Sequence, residues 1–244
     1  MNRISRIFAA ATLLTAAVPA AAATTLTFNT TSSTITSATG SGAGNIITFT
    51  STAGGAKVVA SAFQISQASG NAVSSQTLGA YSPGLGVTGL GDFNGDYAYH
   101  QVDNVNGYTD FILFTFDRAV NLTTIGLATF NMGTGASYLA TKDSDLAFKA
   151  LTSPFSMGAV TTSGWTTIAG SGANGAVATG SNAFATQWLV GAAFASDSND
   201  GFKVNALTVS AVPEPGTWAM MLVGFGAMGM SLRSRRRKVA VRFA

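Results

Sequence analysis

The chain has 244 residues, no cysteine, and few charged side chains, since Lys, Arg, Asp and Glu make up only 9% of it. Eight of the thirteen basic residues lie before residue 7 or after residue 232, so the formal charge of +3 arises at the two ends. Residues 24–212 contain five basic residues and nine aspartates, so this segment carries a net negative charge. This balance excludes a basic nucleic-acid-binding surface there, and the lack of cysteine excludes disulfides as a source of stability.

The first 23 residues have the layout of a secretory signal peptide. Arg3 and Arg6 supply a positive start, residues 7–17 are apolar without a charge, and a proline then breaks the helix. A run of four alanines follows and offers the small residues that signal peptidase requires. We therefore expect cleavage after Ala22 or Ala23.

Residues 24–211 are predicted to form one all-β ectodomain, because short apolar runs alternate with turn residues and no segment shows capped helical periodicity. This pattern favours a single antiparallel β-sandwich that is jelly-roll-like. A turn is predicted at Asp117-Arg118, and loops at residues 32–44 and at the glycine-rich residues 84–89. Strands are predicted at residues 24–28, 45–50, 57–65, 111–116, 121–130, 146–150, 165–168, 184–194 and 202–212.

A polar cluster near residue 100 is a candidate for a structural Ca²⁺ site. Asp92, Asn94, Asp96 and Asp103 stand at the first, third, fifth and twelfth positions of a calcium loop. The pattern departs from that loop, because Tyr97 replaces the required glycine and an aspartate replaces the bidentate glutamate. The alternative interpretation is turn formation, which Asp and Asn also favour.

Catalytic and sugar-binding patterns are weaker. His100 is the only histidine, and the chain has neither a cysteine nucleophile nor a Gly-x-Ser-x-Gly elbow, so we predict that the protein is not an enzyme. Six aromatic residues are candidates for stacking on sugar rings, with membership of the core as the alternative interpretation. They are Tyr97, Tyr99, Tyr108, Tyr138, Trp165 and Trp188.

The C-terminal region, residues 212–238, combines a rigid break, an apolar segment and a basic stop. Pro213, Glu214 and Pro215 form the break, and residues 217–232 are predicted to form a transmembrane helix. At ~1.5 Å per residue this helix reaches ~24 Å, a little short of the hydrocarbon core. The basic stop predicts a cytoplasmic end for the helix. It consists of Arg233, Arg235, Arg236, Arg237 and Lys238.

This C-terminal region resembles the PEP-CTERM sorting signal, in the variant that places Trp218 and Ala219 after the Pro-Glu-Pro motif. The resemblance implies a Gram-negative bacterium that makes exopolysaccharide. It also implies an exosortase, a membrane-embedded enzyme that cleaves near Pro213-Glu214-Pro215 after transient anchoring in the inner membrane.

A second, looser resemblance lies in residues 84–116 and connects the chain to a family of exosortase-dependent surface proteins. It rests on Gly84-Leu-Gly-Val, on His100-x-Val-Asp-Asn and on Gly107-Tyr-Thr-Asp-Phe. That family implies no particular activity. We therefore predict an exported surface or exopolysaccharide-matrix protein with a structural or adhesive role. A carbohydrate-binding module is the alternative, and a secreted hydrolase is the less favoured one. The expected partners are signal peptidase, exosortase, the inner membrane and exopolysaccharide, without nucleic acid.

Overall fold

The computed structural model describes residues 23–27, 36–38, 46–50, 57–67, 69–81, 84–90, 100–128, 145–169, 174–194, 200–211 and 215–236. The chain divides into two compact units. One unit spans Ala22–Val212 and holds all the described strands, and the other contains the helix α1, Pro215–Arg236.

The described part of the first unit contains fourteen β-strands and one short 3-10 helix, Met157–Ala159. The strands of the first half are β1 Ala23–Thr27, β2 Thr36–Ala38, β3 Ile46–Thr50, β4 Lys57–Ser66, β5 Ala72–Ser75, β6 Thr77–Tyr81 and β7 Gly84–Thr88. Those of the second half are β8 Val102–Asp103, β9 Tyr108–Ala128, β10 Leu146–Ala150, β11 Thr166–Ile168, β12 Asn174–Ala178, β13 Ala185–Ala192 and β14 Gly201–Ala211.

All described strand pairs are antiparallel, and they connect into one large sheet. The prediction of an antiparallel all-β fold is therefore confirmed. The long strand β9 organises the sheet, because its first half pairs with β4 and β13 while its second half pairs with β12 and β14. The final strand β14 also pairs with β1, β7 and β8.

The predicted turn at Asp117-Arg118 is wrong. Strand β9 runs through these residues without a turn, and only its neighbouring strand changes. Before them Phe116 pairs with Val58 of β4, and after them Val120 pairs with Ala211 of β14. The two charged side chains form a 3.2 Å ion pair and are each about one third exposed. A polar pair on the surface of a continuing strand thus carries the same sequence signal as a turn.

Two apolar clusters cover opposite faces of the first half of β9. Ile112, Phe114 and Phe116 lie in the larger cluster, and Phe111 and Leu113 lie in the smaller one. Successive side chains of a strand point to opposite faces, so a strand that is buried on both faces reads as an uninterrupted apolar run. This accounts for the sequence Phe-Ile-Leu-Phe-Thr-Phe at residues 111–116.

Both predicted loops contain strands. Within residues 32–44 the segment Thr36–Ala38 forms β2, which pairs with β3. The glycine-rich segment forms β7, whose first four residues are buried. Gly84 has φ +142° and lies against the backbone of Val204, and a Cβ at Gly86 would collide with the carbonyl oxygen of His100. Here glycine permits close approach of neighbouring backbones rather than flexibility.

Candidate functional site

The structure places the described residues of the C-terminal sorting signal in helix α1. Pro215 is its first residue, a position that suits proline because the amide there needs no partner within the helix. Trp218, Ala219, Arg233, Arg235 and Arg236 lie within the helix. Pro213, Glu214, Arg237 and Lys238 lie outside the described residues. The segment predicted to be helical is therefore helical.

Within the part of the chain that the structure describes, no helix combines the length and apolar character needed to cross a membrane. For residues 217–232 the predicted helix is confirmed, whereas this finding does not support the membrane-spanning part of the prediction. The physical reason is composition, because Gly224, Gly226 and Gly229 contribute little apolar surface and Arg233 ends the apolar run.

The signal-cleavage residues fall at the edge of the described domain. Ala22 lies outside the described residues, and Ala23 is the first residue of β1. Strand β1 pairs with β14 in a register that sets Ala23 opposite Ser210 and Thr27 opposite Ala206. The two ends of the predicted ectodomain therefore lie side by side.

The calcium candidate is described at one position only. Asp92, Asn94 and Asp96 lie outside the described residues, whereas Asp103 lies in β8 and is 2% exposed. One carboxylate oxygen of Asp103 accepts a 3.4 Å hydrogen bond from the backbone of Val105, a contact typical of an Asx turn. Among the described residues, no group of three His, Cys, Asp or Glu side chains is placed to hold a metal ion. Calcium binding stays a prediction.

A buried polar network ties together three segments that are distant in sequence. The Nδ2 group of Asn104 donates to Oδ2 of Asp200 at 2.8 Å and to the carbonyl oxygen of Ala193 at 3.0 Å, and Oδ1 of Asn104 accepts from the amide of Asp200 at 2.9 Å. The other Asp200 oxygen accepts from the amide of Asp145 at 2.8 Å. Asn104 and Asp200 are each 2% exposed. The network joins β8, β10 and β14 near their ends, and sequence reasoning missed it.

His100 contacts a hydroxyl group, an aromatic ring and a lysine within the domain. Its Nδ1 atom is 2.5 Å from Oγ1 of Thr88, and its ring stacks on Tyr81 with centroids 5.5 Å apart. The ammonium group of Lys203 donates to the backbone oxygen of His100 and lies 3.9 Å from the centroid of Tyr81. Burial, and then the charge of Lys203, lower the pKa of His100 below its ordinary value.

This shift predicts that acid destabilises the domain. Because folding lowers the pKa of His100, the unfolded chain binds the proton first as the pH falls below ~6.5, and stability is lost from there down through the folded-state pKa. We expect His100→Asn to flatten this part of the pH profile. Thermal unfolding of both proteins between pH 5 and pH 8 measures this pH dependence. Because His100 is the sole histidine of the chain, no other imidazole contributes to it. Identical pH slopes for both proteins would contradict the assignment.

Both tryptophan candidates for sugar stacking are engaged within the domain. Trp188 is fully buried and donates to the carbonyl oxygen of Val120 at 3.2 Å. Trp165 is partly buried, packs edge-on against Phe111 and Phe194, and donates to the carbonyl oxygen of Thr161 at 2.9 Å. Tyr108 is half-buried in β9. Tyr97, Tyr99 and Tyr138 lie outside the described residues.

A groove of about 380 Å³ lies on the outer face of β3, β4 and β5, beside the 3-10 helix. Its lining is mostly apolar and includes Phe63 and Phe155, whose rings are 4.5 Å apart, together with the half-exposed Met157. Ser61 and Ser75 add hydroxyl groups, and the described residues that line the groove include no charged side chain.

Comparison with known proteins identifies the C-terminal region. Residues 211–237 match the family model of the PEP-CTERM protein-sorting motif, which confirms the sequence resemblance. The chain thus carries the motif of an exosortase-targeted exported protein. No curated protein matches the chain, and no solved structure matches it.

Proposed function

We propose that the protein is a structural or adhesive component of the cell surface or of the exopolysaccharide matrix, delivered there by an exosortase. The observation that carries this proposal is the sorting motif at residues 211–237, which begins at the last residue of β14. A sorting motif that directly follows a β-sheet domain suits a protein that acts through its location at the cell surface rather than by catalysis.

Helix α1 supports recognition by a membrane enzyme. Most of its described large apolar side chains are more than half exposed, and exposed apolar surface of this kind marks interaction sites. They include Met220, Leu222, Val223, Phe225, Met228, Met230 and Leu232. We propose that exosortase binds this helix and cleaves near Pro213-Glu214-Pro215, after signal peptidase has removed residues 1–22 or 1–23.

We further propose that the connected sheet is organised as the jelly-roll-like sandwich expected from the sequence. Strands β4 and β6 contact each other without pairing, and the backbone amide of Gln76, just before β6, donates to the carbonyl oxygen of Ala62 in β4. Ala62 of β4 and Leu78 of β6 also belong to the same buried cluster. A packed, cysteine-free sandwich suits a durable matrix component.

A non-enzymatic role is also our proposal, and the setting of His100 supports it. The imidazole ring contacts Thr88 and Tyr81, and the nearby ammonium of Lys203 disfavours the protonated form that a general base must reach.

Replacing Pro213, Glu214 and Pro215 together by alanine is expected to abolish the C-terminal cut, because it removes the rigid break from the sorting motif. Intact mass spectrometry would then find the tail residues still attached. Pro154→Ala, at an exposed loop position, is the matched control and should be processed normally. Normal removal of the tail from the triple variant would contradict the proposed cleavage region.

The structural role is tested in a host strain that lacks the gene. We expect the extracellular matrix of that strain to lose cohesion, and the loss to be restored by the native chain but not by the Pro-Glu-Pro variant. Glycan-array binding by the purified ectodomain would instead favour a carbohydrate-binding module. Unchanged matrix cohesion in the deletion strain would contradict the structural role.

A further inference from the structure

Strand β1 begins where the leader is predicted to be cut. Its five residues, Ala23–Thr27, pair only with β14 among the described strands, in the register Ala23 opposite Ser210 through Thr27 opposite Ala206. Strand β14 ends at Ala211, two residues before Pro213. The N-terminal cut site and the strand that leads into the sorting motif are therefore hydrogen-bonded neighbours.

Cleavage and pairing compete for the same backbone. A protease reads the chain around its scissile bond as an extended strand whose amide and carbonyl groups it must itself contact. The groups of Ala23 and Thr24 that β14 binds are next to the predicted cut, after Ala22 or Ala23. These residues cannot occupy the protease and the ladder at once.

The leader also restricts the position of β1. Residues 18–22 connect the apolar stretch of the leader to Ala23, and five residues reach at most ~17 Å. While the apolar stretch is held in the membrane, docking of β1 would press this end of the domain against the membrane surface. Hydrolysis of the scissile bond consumes one water, leaves a carboxylate on the leader and an amine on the ectodomain, and releases β1.

We propose that β1 is a clasp that closes after signal-peptide removal, so that leader hydrolysis precedes completion of the ectodomain. Closure gives residues 206–210 of β14 a hydrogen-bonded neighbour on the edge opposite β9. It thereby seals an open strand edge, which would otherwise template association with other chains. The order of events rests on the proposed signal peptide but not on cleavage by exosortase.

The test uses the full chain, which has no cysteine of its own. Thr25 lies directly opposite Thr208, and such pairs have the Cα separation of a disulfide. After export of the Thr25→Cys/Thr208→Cys variant, we expect an intramolecular disulfide. Thr25→Cys/Val209→Cys is the register control, because its side chains point to opposite faces. Equal cross-linking of both pairs, or a disulfide between two chains, would overturn the proposal.

The order of events is tested by adding Ala20→Leu, Ala21→Leu and Ala22→Leu, which block leader removal and leave β1 unchanged. We expect cross-linking of the matched pair to fall about tenfold while the leader is retained. A twelve-residue Gly/Ser spacer before Ala23, with an r.m.s. length of about 20 Å, should restore it. Undiminished cross-linking with the leader attached, or no recovery with the spacer, would refute the clasp.

The C-terminal mass of each product keeps the two proposals distinguishable. An internally cross-linked chain that retains residues 216–244 supports the clasp while contradicting cleavage by exosortase. A native chain that still carries residues 1–22 would contradict the clasp whatever the state of its tail.

Discussion

Replacing Trp188 by alanine is expected to lower the free energy of unfolding by about 3–5 kcal/mol. The indole of Trp188 is fully buried in the larger apolar cluster, and its centroid lies 6.4 Å from that of the Phe148 ring. The substitution also removes the hydrogen bond that the indole donates to the carbonyl oxygen of Val120. Since domains of this kind are stable by only ~5–15 kcal/mol, the variant approaches the limit of folding. Urea unfolding of the exported protein, followed by far-UV circular dichroism, measures the loss.

Trp165→Ala is the matched control for this prediction. Trp165 is partly exposed and belongs to the rim of the smaller cluster. Removing it should cost about 1–2 kcal/mol, because less apolar surface leaves the protein interior. Equal losses of stability in the two variants would contradict a central position of Trp188 in the larger apolar cluster.

Replacing Asn104 by alanine is expected to destabilise the domain by about 3 kcal/mol. The change removes two donated bonds and one accepted bond, and it takes away a donor that faces the buried carboxylate of Asp200. A buried carboxylate that loses one of its hydrogen bonds is stabilised less inside the protein, where water does not replace the lost bond. Thermal or urea unfolding of the purified protein measures the effect.

Asn205→Ala provides the control, because Asn205 makes a 3.5 Å hydrogen bond to Leu127 from a half-buried position. We expect a loss well below that of Asn104→Ala. The Asn104 network also joins β8, β10 and β14, so its removal should increase hydrogen exchange at Asp145 and Asp200. A change confined to Asn104 itself would contradict a network that acts as a unit.

Strands with a strong apolar pattern were predictable from the sequence. Residues 146–150 match β10 in both bounds, the prediction for β4 ends one residue early, and the prediction for β14 is shifted by one residue at both ends. In these strands a run of β-branched and aromatic residues stands between turn residues, so local pattern and tertiary packing agree.

Short and glycine-rich strands were not predictable in this way. The glycines of strand β7 predict a loop from the sequence alone. In the structure Gly84 and Gly86 instead permit close approach to the backbones of β14 and His100, which the local sequence pattern does not reveal. Strand β9 was divided in two because Asp117 and Arg118 resemble a turn, although both stand on the surface of a continuous strand. In each case the deciding partner is remote in sequence.

The candidate sites show the same contrast. The parts of the sorting motif follow one another within a short segment, so the sequence alone reveals it. The family comparison confirms the motif at residues 211–237. The network of Asn104, Asp145 and Asp200 is assembled from segments up to 96 residues apart. Each segment alone reads as turn chemistry, and it is the register of β8 on β14 that brings Asn104 close to Asp200.

The most direct test of export and double processing is intact mass spectrometry of the mature protein from its native host. We expect a chain that begins at Ala23 or Thr24 and ends near Pro213-Glu214-Pro215, with α1 removed. A mature protein that still carries residues 218–244 would contradict delivery by exosortase.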